Sequence, residues 1–145
     1  MKIDVYSREQ ILGLKPDPSV AVISISGPTD PAPLKEGWGP LLRVAFHDVV
    51  IPRSEMPAMV KIDGGPVVLF DEQMANRIDT FAWEHKDRDF AVHCTAGVSR
   101  SVAVGMFLKD IFEGDLHLHA IHTTAAANSL VHRLLIQKYW KERLS

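Results

Sequence analysis

Apolar and polar positions change period along the chain, and each change marks an element. Ile3, Val5 and Tyr6 suggest a short first strand. Ser7 follows as an N-cap, with Gln10 three residues on as the partner of a capping box. The helix it opens, 8–14, is brief because Lys15-Pro16-Asp17-Pro18 stops it. Val20-Ala21-Val22-Ile23-Ser24-Ile25 is nearly continuous and β-branched, the pattern of a strand covered on both faces. Residues 27–40 hold four prolines and three glycines, and predict a loop. Leu41 to Phe46 predicts another strand, running into His47-Asp48, and a second long loop covers 49–66.

Asp71-Glu72 opens a helix with acids at its positive end, and Met74, Ile78, Phe81, Ala82 and His85 share one face of it over 71–86. Phe90-Ala91-Val92-His93 predicts a short buried strand. Residues 101–112 predict a buried helix, and 128–143 a last helix whose Leu130, Leu134 and Leu135 repeat at core spacing. Strands alternating with helices predict a single-domain α/β fold over 1–145, with a central, mostly parallel sheet flanked by helices.

Composition narrows the class without changing this picture. Of 145 residues, 46% are hydrophobic and 23% charged, which is globular and argues against disorder or coiled coil. Sixteen basic against eighteen acidic residues leave a net charge of −2, so no basic field points to nucleic acid. No stretch has the length of a membrane span or a signal peptide, so the expectation is no membrane partner and a cytoplasmic protein. Cys94 is the single cysteine, which excludes an internal disulfide and a cysteine-based zinc site.

The stretch that carries chemistry is His93-Cys94-Thr95-Ala96-Gly97-Val98-Ser99-Arg100-Ser101, between a predicted strand and a predicted helix. A loop there can curl so that the amides of Thr95, Ala96, Gly97, Val98, Ser99 and Arg100 face an anion. The following helix adds its N-terminal donors. Gly97 permits a backbone shape that a β-carbon obstructs. Arg100 offers a planar fork for two phosphate oxygens. At the floor of this positive cup Cys94 is favoured as thiolate, a nucleophile aimed at phosphorus. Ser101 can donate to the sulfur and make it a better leaving group, and His93 can orient the loop.

This nine-residue string resembles the active-site signature of the cysteine-dependent protein tyrosine phosphatases, most of all the dual-specificity branch and its compact bacterial and viral relatives. The order of elements from Leu41 onward is similar as well, including Asn128 at the head of the final helix. The resemblance implies a phosphatase fold and hydrolysis of phosphomonoesters through a phosphocysteine, without metal or cofactor. Phosphotyrosine is the implied substrate, with phosphoserine and phosphothreonine left open, carried on a protein or a small molecule. No lysine stands among the variable loop positions, which leans toward a singly phosphorylated substrate.

The resemblance also implies a general acid on a loop. Asp48 stands directly after the predicted strand, where such an acid sits. Asp63, in Ile62-Asp63-Gly64-Gly65, lies nearer Cys94 along the chain and within flexible glycines. Position at a strand end fixes a carboxylate better than a residue count does, so Asp48 is preferred. A thiolate working with a protonated aspartate implies an acidic optimum. The alternatives are a catalytically weak phosphoprotein-binding module on the same fold, or a sulfurtransferase or arsenate reductase. The latter two fit less well, because their loops do not require this arginine or because they need further thiols.

Other features have plainer readings. Asn128 is expected as an N-cap with no catalytic role. His117, His119 and His122 are expected on a solvated loop. Trp38, Trp83 and Trp140 are expected in or over the core.

Overall fold

The computed structural model describes residues 1–51, 53–56, 61–62 and 64–144. Its elements run β1 (Lys2–Tyr6), α1 (Arg8–Leu12), β2 (Ala21–Ser26), β3 (Leu41–Ala45), a 3-10 turn (Arg53–Glu55), β4 (Lys61–Ile62), β5 (Gly65–Pro66), α2 (Glu72–Glu84), β6 (Phe90–His93), α3 (Arg100–Phe112), β7 (Asp115–Leu118) and α4 (Ser129–Leu144). Five strands form one sheet in the order β3-β2-β6-β1-β7, and every pairing in it is parallel. β4 and β5 form a separate antiparallel pair inside the second loop.

Side-chain alternation sorts the two faces of the sheet. Ile3, Val5, Ala21, Ile23, Ile25, Phe90 and Val92 point into the main core, where α2, α3 and α4 add Ile78, Phe81, Phe107, Val131 and Leu135. Val22 and Ala91 point the other way and pack with Ile11 of α1, under Leu34 and Trp38 of the 27–40 loop. β2 is therefore buried at every position, as a doubly covered strand must be. The capping box at Ser7 also forms: its Oγ accepts from the Gln10 amide at 3.1 Å while Gln10 Oε1 accepts from the Ser7 amide at 2.9 Å.

One expectation is corrected. Of the histidines after α3, His117 does not lie on a loop, because Asp115–Leu118 forms the edge strand β7 against β1, while His119 and His122 follow it as exposed loop residues. Leu116 and Leu118 turn inward there while Asp115 and His117 stay exposed. His119, next in the chain, bonds Asp4 Oδ1 through Nε2 at 2.8 Å and stacks on Tyr6 with centroids 4.5 Å apart. Only a four-residue period-two pattern signalled this strand, too short to stand out beside three histidines.

The helical layer holds a buried carboxyl. Asp79 on α2 has a side chain only 6% exposed, with Arg143 Nη2 3.6 Å from Oδ2 and no hydrogen-bond donor to Oδ1 among the described residues. Burial pushes its carboxyl above the usual carboxylate range, against the pull of Arg143. The folded protein then binds more protons than the unfolded chain in the window above the ordinary value, so stability falls as pH rises through that window. Asp79→Asn is expected to remove this slope and leave the protein at least as stable at neutral pH. Denaturant midpoints measured from about pH 4 to pH 7 check it, and an unchanged slope refutes it.

Candidate active site

β6 is the middle strand of the sheet, and the chain turns at its carboxyl end into the loop 94–99 before entering α3. In an open parallel sheet this is where ligands gather. The strand end is fixed by His93, which is fully buried. Its Nδ1 lies 3.0 Å from the Cys94 carbonyl, which can only accept, so Nδ1 carries the proton. Nε2 then accepts from Ser24 Oγ at 2.6 Å, and Ser24 is the cross-strand partner of His93 on β2. Burial holds His93 below the usual histidine range, and the nearby Arg8, Arg43 and Arg100 add to that effect. The imidazole is thus a neutral strut between β2 and the end of β6.

The loop packs against the start of α1. The Arg8 amide donates to the Thr95 carbonyl at 3.0 Å. Gly97 sits at φ +74°, and a β-carbon on it would lie 2.6 Å from the Ser7 nitrogen and 2.7 Å from the Tyr6 carbonyl carbon. Both the conformation and the backbone contact require glycine. The amides of Thr95, Ala96, Val98 and Ser99 have no protein acceptor among the described residues, which leaves them available to a ligand.

Cys94 lies at the floor, 2% exposed. Its Sγ is 3.0 Å from Ser101 Oγ and accepts from the Gly97 amide at 3.2 Å. Arg100 is 8% exposed and its guanidinium is held in place. Nη1 donates to the Phe46 carbonyl at 2.8 Å and Nη2 to Thr95 Oγ1 at 3.1 Å. The buried Nε has no acceptor among the described residues.

Asp48 stands opposite, exposed just past β3. Its Oδ1 accepts from Ser99 Oγ at 2.8 Å and from Asn128 Nδ2 at 2.7 Å. The structure therefore brings Asp48 to the loop that holds Cys94 and Arg100. The competing candidate, Asp63, lies outside the described residues. A cleft of about 410 Å³ opens beside Asp48, Thr95 and Arg100, walled by Pro28, Thr29, His47, Pro66 and Val68. His47 Nδ1 accepts from the Val68 amide at 3.0 Å, which fixes that wall.

Ser24 and the reach of Asn128 were not anticipated from sequence. A serine in the middle of a doubly covered apolar strand is the signal for the first, since a buried hydroxyl needs a partner. Asn128 does cap α4, its Oδ1 accepting from the Val131 amide at 3.1 Å. Its second contact, with Asp48, joins residues 80 apart and leaves no local trace in the sequence.

Donors around a buried thiol, a planar cation and a carboxylate across the cup can bind a tetrahedral oxyanion and place sulfur against it. No protein-family model, curated protein or solved structure matches the chain.

Proposed function

We propose that the protein hydrolyses phosphomonoesters, foremost phosphotyrosine, as a dual-specificity-like cysteine phosphatase with the corresponding fold. The observation that carries this reading is the convergence on Cys94: Ser101 Oγ and the Gly97 amide meet at its sulfur, under a loop that ends in Arg100. In the first step Sγ attacks phosphorus, the S–P bond forms and the P–O bond breaks, and Asp48 gives its proton to the leaving oxygen. In the second, Asp48 takes a proton from water as water attacks phosphorus. The S–P bond breaks and Ser101 donates to the departing thiolate. Arg100 and the loop amides hold the three remaining oxygens throughout. The chemistry calls on no cofactor, and a reducing cytoplasm suits a thiolate nucleophile.

Turnover of para-nitrophenyl phosphate between about pH 5 and pH 8, with EDTA present, tests the reading. The expected result is metal-independent hydrolysis that vanadate and thiol alkylation abolish. A folded protein that binds phosphopeptide but turns over no aryl phosphate would transfer the proposal to a phosphate-binding module.

A further inference from the structure

Asn128 has every polar group committed. Oδ1 accepts from the Val131 amide at 3.1 Å, which fixes which end of the side-chain amide faces α4. Nδ2 is thereby turned outward and donates to Asp48 Oδ1 at 2.7 Å and to the Val49 carbonyl at 3.3 Å. The residue is 1% exposed, so its side-chain amide is shielded, although Asp48 at the far end of the bond is exposed. Its own amide donates to the Ser99 carbonyl at 3.1 Å, while Ser99 Oγ donates to the same Asp48 oxygen at 2.8 Å. The start of α4, the phosphate loop and the segment after β3 are therefore tied at one carboxylate oxygen.

From this we infer that Asn128 is the positioning residue for the general acid. Resting on the phosphatase reading, the inference gives the two Asp48 oxygens different tasks. Oδ1 receives two donors and is held as an acceptor. Oδ2 has no protein partner among the described residues and is the oxygen that carries the transferred proton. Because the cap bond to Val131 sets the direction of Nδ2, the fold of α4 dictates the direction of the proton.

The test uses Asn128→Ser, since serine caps a helix as well as asparagine but cannot reach Asp48 with an amide. Phenyl phosphate needs a proton on its leaving oxygen, whereas dinitrophenyl phosphate does not. The variant should lose about tenfold in kcat/KM on phenyl phosphate, which reports formation of the phosphocysteine, and keep most of its kcat/KM on dinitrophenyl phosphate. Placed on an Asp48→Asn background, it should cost nothing further. Asn128→Asp, which also keeps the cap, should show the same selectivity and guards against a folding defect in the serine variant. An equal loss on both substrates, no loss on either, or additivity with Asp48→Asn would overturn the inference and leave Asn128 a helix cap alone. Absence of any Cys94-dependent turnover in the wild type would instead remove the phosphatase reading, and the inference with it.

Discussion

Cys94→Ser is expected to fold, to bind phosphate, and to lose at least about four orders of magnitude in turnover of aryl phosphates. The substitution removes little volume at a site that is 2% exposed, and the new hydroxyl meets the same partners, Ser101 Oγ and the Gly97 amide. Nothing in the core cluster around it must move. What disappears is the proposed nucleophile, because a serine hydroxyl at this floor has no neighbouring base among the described residues. His93 cannot supply one: its Nδ1 proton is directed at the Cys94 carbonyl and its Nε2 is occupied by Ser24. Acid quench during wild-type turnover should trap phosphate on Cys94, and the variant should trap none. A phosphoenzyme still formed by Cys94→Ser would falsify the assignment of the nucleophile.

The parts of this site that were legible in the sequence are those coded within one short stretch. Cys94, Gly97, Arg100 and Ser101 are fixed relative to one another by the turn from β6 into α3, so their spacing already describes a cup. The doubly covered β2 was legible for a similar reason, since its burial shows in its own composition. Contacts between distant segments were not. Asp48 could be placed at a strand end but not shown to meet Ser99, because the meeting depends on β3 and β6 both flanking β2. The edge strand β7 depends on pairing with β1, more than a hundred residues earlier, and its four residues carry no strong preference by themselves. The long second loop gave turn signals only, and the β4–β5 pair within it rests on two residues per strand.

Arg100→Lys is expected to lower kcat/KM on aryl phosphates by about a thousandfold, although the positive charge is kept. Charge alone does not explain the geometry around Arg100. One nitrogen is spent on the Phe46 carbonyl at 2.8 Å and another on Thr95 Oγ1 at 3.1 Å, and the guanidinium carbon stands 5.9 Å from the centroid of the Phe46 ring. Those contacts hold the plane of the fork before any ligand arrives, with Nε buried and without an acceptor among the described residues. A lysine brings a single nitrogen on a flexible stem, so it can satisfy the Phe46 carbonyl or grip an oxyanion, not both. The first choice sacrifices transition-state binding. The second leaves a buried carbonyl without a donor, at about 1–3 kcal/mol of stability. Both kcat and KM should therefore worsen, and phosphate should raise the denaturant midpoint of the lysine variant by less than it raises that of the wild type, because binding there leaves the Phe46 carbonyl unpaired. Measuring kinetics and denaturant midpoint with and without phosphate separates the two choices. Wild-type kcat/KM in Arg100→Lys would mean that a point charge suffices, and that the planar fork has no part in the reaction.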